Sequence, residues 1–298
     1  MSIAPATDAS NLSFKERDKL IDGVIKDITH IATLPEITVK IVELVECPRS
    51  TAADLHAVIA NDPALSARVL KVVNSAFYAL PGQIGSINRA IVLLGLNAVK
   101  NIAIAASLAK LFRGGRLCPS FAARDLWEHS IAVAAGTKLL AERVELPLSD
   151  EAFLGGLIHD IGLMVMMQAR RPKLVQVLER VESESITFRD AELQVLGVTH
   201  EQLGRALCES WKFPATLARV AGHHHSPARL DPESRALACM VHVADVLAGE
   251  LGLGYAGTVQ RQAIDQCVLD ELKLRPDSLD ELRNDLPQAA RVADELMT

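Results

Sequence analysis

"GLIHDIGLM", residues 156–164, sets a histidine and an aspartate side by side inside an apolar run. The run extends outward as "DEAFLGGLIHDIGLMVMMQA", residues 150–169. Apolar residues lie nearly all round its helical projection, which predicts a helix buried within protein. His159 and Asp160 then stand about 100° apart on that helix, and both point inward. An imidazole or carboxylate buried without a partner costs several kcal/mol. The doublet therefore predicts partners elsewhere in the chain.

The same anomaly recurs on other predicted helices. His129 shares a face with Leu126, Val133, Gly136 and Leu140, and His200 with Leu203, Gly204, Leu207 and Trp211. Asp245 shares one with Ala238, Val241, His242, Ala248 and Gly249. The triplet His223–His225 closes another helix. Its members point different ways, so at most two can face one site; alternatively they form a solvated helix C-terminus, where the dipole favours histidine. Polar groups repeated on the apolar faces of five helices satisfy one another only by converging. Several imidazoles with two carboxylates suit a divalent first-row transition metal, with Fe, Mn, Zn and Ni all candidates. Two adjacent ions bridged by Asp160 fit the ligand count. The alternative is a metal-free hydrogen-bonded network.

Helix signals fill the rest of the 298 residues. Hydrophobic residues make up 49% and aromatics 4%, a balance suited to closely packed helices. Ser13 with Glu16 forms a capping box, Asp62-Pro63 a cap with proline in the first turn, and Ser86 a further cap. Asn74 and Ser75 are expected to close their helix and bond locally. No alternating strand pattern or internal repeat stands out. The expected fold is all-α, with two packed helical lobes meeting near "RGGRLCPS", residues 113–120, where Gly114-Gly115 reads as a hinge or turn. Thirty-one Lys and Arg against 37 Asp and Glu leave a net charge of −6, which argues against a broad nucleic-acid surface. Cys47, Cys118, Cys208, Cys239 and Cys267 form no CxxC and read as free thiols in a reducing compartment. The amino-terminal "MSIAPATDASNLSF" lacks a signal-peptide build. No apolar run is expected to reach the roughly 18–20 residues of a membrane span. A cytoplasmic protein without a membrane partner is expected.

With these motifs laid out, the chain resembles the HDOD family, a branch of the HD-domain superfamily. "LPEI", "IANDPALSARVLKVVNSAFY" and "IGSINRAIVLLG" carry the resemblance in the first lobe. "LWEHSIAVA", "GLIHDIG", "ELQVLGVTHEQLGRAL", "WKFP" and "HHHSP" carry it in the second, an HD-domain-like helical bundle. The resemblance covers roughly residues 31–251. It implies an amino-terminal helix before residue 31, an HDOD-specific lobe at 31–115, an HD-like lobe at 116–255 and carboxy-terminal helices at 256–298. It implies a metal set of His129, His159, Asp160, His200, His224, His225 and Asp245, with Asp125 as an additional carboxylate where cyclic-dinucleotide-cleaving relatives carry one. Fe or Mn are the favoured metals. Those relatives read HD-x-G-Lys and carry a Gly-Tyr-Pro segment after the double histidine. Here Leu163 takes the lysine's place and "SPARLDPES" replaces the segment; Arg170, Arg171 or Lys173 are the candidates to restore the charge. The resemblance thus implies a bacterial signal-transduction module acting through a signalling protein partner or a nucleotide ligand, with little or no hydrolase activity. The alternative is a metal-dependent phosphohydrolase, a phosphodiesterase of cyclic dinucleotides among the options.

Overall fold

The computed structural model describes residues 12–31, 35–47, 49–75, 78, 80, 82–112, 115–144, 149–260 and 262–297. Its first helices are α1 (Phe14–Ile31), α2 (Glu36–Glu46), α3 (Ala52–Ala60), α4 (Pro63–Val73), α5 (Ile87–Leu94) and α6 (Leu96–Leu108). Short polar side chains start them as expected. Ser13 donates its backbone N–H to Glu16 at 2.8 Å, and the Leu65 N–H donates to Asp62 Oδ1 at 2.9 Å. The Arg89 N–H donates to Ser86 Oγ at 3.2 Å. Helix α6 is the spine of this group: Val99, Ala103, Ile104, Ala105, Ala106 and Leu108 are buried, and α2 to α5 pack around it.

Ser75 closes α4 by donating to the Val72 carbonyl at 2.6 Å. Asn74 reaches further than expected. Its amide bonds to Leu70 at 2.9 Å and also forms a two-way pair with the Ile84 backbone, at 2.8 and 2.6 Å, clasping the loop ahead of α5.

The junction contains a feature the sequence did not announce, a short antiparallel hairpin of β1 (Arg116–Cys118) and β2 (Phe121–Ala122). It is too brief to show alternation. Arg113 and Gly114 lie outside the described residues. Then follow α7 (Ala123–Arg143), α8 (Ser149–Ile158), α9 (Ile161–Ala169), α10 (Arg171–Glu184), α11 (Phe188–Leu196) and α12 (His200–Ser210). The chain continues through α13 (Ala215–His223), α14 (Ala236–Glu250), α15 (Gln266–Glu271) and α16 (Pro276–Met297). Among the described residues the fold is all-α apart from that hairpin.

Two further expectations are corrected. Residues 150–169 are two helices, not one, because the chain breaks at His159–Asp160. The stretch Glu151–Ala169 does have the length and hydropathy of a membrane span, contrary to the reading above, but 78% of it is buried inside the protein. Apolar composition here reflects a position at the centre of the bundle, against α7, α12 and α14.

The two groups of helices are joined by packing on several sides. Helix α6 lies against α8, α1 lies against α9 and α12, and α16 touches both α7 and α4.

Candidate metal centre

Each predicted ligand comes from a helix or a helix end, and the structure brings all seven together. His129 projects from the first turns of α7, while His159 and Asp160 occupy the break between α8 and α9. His200 opens α12, His224 and His225 follow α13, and Asp245 sits in the middle of α14. Every one is fully buried except His225, at 4% exposure. Two glycines make the approach possible. A Cβ on Gly156 would stand 2.6 Å from Ala134 Cα on α7. One on Gly162 would stand 1.9 Å from the His200 carbonyl oxygen. Helices α8 and α9 can close on α7 and α12 only where these side chains are absent.

The backbone fixes the imidazoles. A carbonyl oxygen only accepts, so a ring nitrogen facing one carries a proton. His159 Nδ1 donates to the Gly156 carbonyl at 2.7 Å. His224 Nδ1 faces the Ala221 and Val220 carbonyls at 3.2 and 3.3 Å, and His129 Nδ1 faces the Leu253 carbonyl at 3.2 Å. The Nε2 atoms of these three rings are thereby turned inward. His129 Nε2 lies 2.9 Å from Asp245 Oδ1. His159 Nε2 lies 3.4 Å from Asp160 Oδ2 and 3.7 Å from Asp245 Oδ1. His200 Nε2 and His224 Nε2 lie 3.3 and 3.4 Å from the same Asp160 Oδ1, and His200 Nε2 lies 3.0 Å from His225 Nε2. Ring lone pairs thus oppose carboxylate lone pairs. Only a positive ion between them, a proton or a metal, makes that arrangement favourable.

Orphaned atoms mark the same point. His159 Nε2, Asp160 Oδ1, His224 Nε2, His225 Nδ1 and Asp245 Oδ2 are buried and have no hydrogen-bond partner. The potential ligand atoms of Asp160, His200, His224 and His225 all lie within 4.8 Å of one another, as do those of His129, His159 and Asp160, and those of His159, His224 and Asp245. Asp160 belongs to two of these groups, which suits a bridging carboxylate. The donor set is nitrogen and oxygen without thiolate; no cysteine joins these groups among the described residues. The residues therefore fit a divalent transition-metal pair.

Electrostatics follow from the same packing. Burial disfavours a charge on His159, but Asp160 and Asp245 outweigh it and raise its pKa to about 9. Burial likewise opposes His200, and Glu192 with Asp160 raises it to about 9. Asp160 is held well below the usual carboxylate range: burial works against its charge, and His159, His224 and His200 overcome it. Burial pushes His225 well below the usual imidazole range, aided by His224 and His200. A neutral ring of this kind is ready to ligate.

Three residues near the centre escaped the sequence reading. Glu192 is fully buried on α11 and accepts from His200 Nδ1 at 2.9 Å and from the His200 backbone N–H at 2.8 Å. It stands on an apolar face with Phe188, Val195 and Leu196, the same signal that marked the other inward residues. His242, assigned no role from sequence, has Nδ1 2.8 Å from the His224 carbonyl oxygen. Thr258 donates to Asp160 Oδ2 at 3.4 Å from a loop with no periodic signal at all. Asp125 and His223 stand outside the clustered groups. Asp125 accepts the Ala122 N–H at 3.1 Å and starts α7; His223 is only partly buried.

None of the three candidate cations restores the missing lysine charge. Arg170 pairs with Asp27 at 2.8 Å, Arg171 donates to the Arg116 carbonyl at 3.1 Å, and Lys173 is exposed. Leu163 itself is fully buried.

This arrangement defines a helical bundle whose buried His/Asp cluster, centred on a His-Asp doublet, could hold a metal. The HDOD domain family matches residues 31–227, and the chain belongs to that family. Among solved structures, an HDOD domain protein of unknown function from Geobacter sulfurreducens is 24% identical, with a TM-score of 0.77 over 94% of this chain and 99% of that one. A Marinobacter aquaeolei VT8 protein whose name proposes a role in signal transduction is 26% identical, with a TM-score of 0.74 over 97% of this chain and 66% of that one. An uncharacterized Treponema pallidum protein is 23% identical over 229 residues; these span 76% of this chain but only 44% of that relative.

Proposed function

We propose that this chain is a cytoplasmic bacterial signalling module built around a two-metal centre, with little or no ester hydrolysis of its own. The observation that carries the metal reading is the buried, converging set of seven ligands with five orphaned atoms. On this reading His129, His159, Asp160, His200, His224, His225 and Asp245 would hold the ions, with Fe or Mn preferred. A divalent ion there supplies positive charge that polarises a phosphoryl oxygen and lowers the pKa of water. The chain's own residues orient the ligands through Gly156, Ala221 and Leu253 carbonyls and through Glu192.

What weighs against catalysis is burial, together with Leu163 in the lysine's place and the engagement of Arg170 with Asp27 and of Arg171 with the Arg116 carbonyl. In this reading the ligand residues come from α7, the α8–α9 break, α12, the end of α13 and α14, so loading would add directly to folding stability. Lobe 31–115 then offers its surface to a protein partner. The signal-transduction name of the Marinobacter neighbour supports a regulatory role. The retained ligand set favours a second reading, a metal-dependent phosphohydrolase acting on a phosphodiester such as a cyclic dinucleotide.

Elemental analysis of the purified full chain beside a His159→Ala/Asp160→Ala variant separates these readings. The expected result is about two metal equivalents per chain, lost in the variant. Hydrolysis of bis-p-nitrophenyl phosphate by the Mn- or Fe-loaded wild type is expected to stay at the level of the variant. Turnover that appears on loading and vanishes in the variant establishes the hydrolase. A chain still free of metal after anaerobic loading overturns the metal centre.

A further inference from the structure

Beyond α14 the chain crosses directly over the clustered ligands before α15 begins. Gly252 and Gly254 flank the start of this crossing in left-handed conformations, with φ of 66° and 71°. A Cβ on Gly254 would stand 2.3 Å from the His129 nitrogen, so the backbone lies flush against α7. Leu253 accepts from His129 Nδ1 at 3.2 Å, the Tyr255 N–H donates to the Asp125 carbonyl at 2.8 Å, and Thr258 donates to Asp160 Oδ2 at 3.4 Å. Past residue 260, Gln262 donates to the His225 carbonyl at 2.9 Å. Residues 253–260 therefore bond to two of the seven ligand residues directly, and Gln262 bonds to a third.

Tyr255 lies among aromatic rings beside the clustered ligands. Its ring packs edge-on against Phe121, with centroids 4.6 Å apart, and against Phe188 at 6.2 Å. Phe188 in turn meets the His200 ring at 6.0 Å. On the outer side of Tyr255 lies a cavity of about 290 Å³ lined by Leu178, Val181, Asp125, Glu182 and residues 254–257 of the crossing segment. Tyr255 is part of the lining of this cavity, none of the seven candidate ligands is, and all seven are buried. Asp125 and Glu182 give the mouth a charge that draws cations and turns phosphate esters away.

We propose that residues 253–260 form a strap that shuts the metal centre, with Tyr255 as the residue that separates the acidic outer cavity from the ligands. The strap deepens the signalling reading, on which it rests for its biological meaning: it keeps an intact ligand set out of reach of phosphate esters, and its position is tied to the orientation of His129 and Asp160. Its closure is a property of the protein itself and is testable without metal.

The test is histidine acylation by diethyl pyrocarbonate on the metal-free full chain, read peptide by peptide by mass spectrometry. His56 and His223, both partly exposed, serve as internal references. In the wild type, His56 and His223 are expected to label while His129 and His225 stay protected. In Tyr255→Ala the protected set is expected to label at least tenfold faster, with the circular-dichroism melt retained. A Thr258→Val/Gln262→Ala variant, which keeps the core aromatic, is expected to show the same direction and covers the case in which Tyr255→Ala does not fold. Clustered histidines that label as fast as His56 in the wild type overturn the strap, as does unchanged protection in folded variants. Failure of the metal reading looks different: protection behaves as stated, and the wild type takes up no Fe or Mn.

Discussion

Gly162 and Glu192 show how single residues set the geometry of the centre. The hydrogen of Gly162 is the only side group that fits beneath the His200 carbonyl, since a methyl carbon would stand 1.9 Å from that oxygen. Gly162→Ala is therefore expected to cost at least about 3 kcal/mol in urea unfolding of the metal-free chain. Gly23 in α1 meets nothing within 4 Å of its would-be Cβ, so Gly23→Ala is expected to stabilise by about 0.5–1 kcal/mol in the same measurement. Glu192 acts through His200: its carboxylate fixes the Nδ1 proton and turns Nε2 toward Asp160. Outer partners of this kind are worth about 10–100-fold in metal affinity. Glu192→Ala is expected to weaken the His200-containing position by that factor in a chelator competition, and Glu192→Gln by less. Equal affinity in all three proteins refutes the role given to Glu192.

Helices made the ligands legible, and loops hid what covers them. His129, His200 and Asp245 could be placed on apolar faces because a helix repeats every 3.6 residues and Cβ directions follow that repeat. The break at His159–Asp160 was not legible: the residues on either side are equally apolar, and the interruption is made by tertiary contacts with α7 and α12 rather than by a glycine-proline signal. Tyr255 and Thr258 were invisible for the complementary reason, since an irregular segment has no period against which a polar residue stands out. The helix ends also dictate proton chemistry. In the metal-free centre His159 and His200 are raised to about 9, so both carry protons at neutral pH. Raised values mean that their charge contributes stability present in full below the unfolded pKa of about 6.5 and lost as pH climbs through about 9. Metal takes only the neutral ring, so loading at pH 7.5 must expel protons and must strengthen as pH rises toward 9. Calorimetric titration of Mn in two buffers of different ionisation enthalpy is expected to show net proton release; identical heats in both buffers contradict it.

The last helix packs against both groups of helices. Along α16, Leu282 and Leu286 are fully buried against the second group of helices, and Leu286 Cδ1 sits 3.1 Å from where a Cβ on Gly136 of α7 would be. Asp294 accepts from Trp127 Nε1 at 2.7 Å and from Arg124 at 2.6 Å, while Lys71 of α4 donates to the Glu295 carbonyl at 2.6 Å. One helix thus grips both groups, and α6 against α8 joins them at a second place. Truncating a fully buried leucine removes its transfer free energy and leaves a cavity, together about 2–5 kcal/mol. Leu286→Ala is expected to lose that amount in chemical denaturation, and the loss is expected to reach the other lobe. Native-state hydrogen exchange reads this directly: amides in the middle of α6 should lose protection by the same free energy as those of α7, because the two open together. Metal loading should reverse the effect in both helices at once, by RT ln(1 + [L]/Kd). Protection in α6 that ignores both the α16 substitution and the metal would show two bodies unfolding separately, and a signal originating at the His-Asp centre would then have no route through packing to residues 31–115.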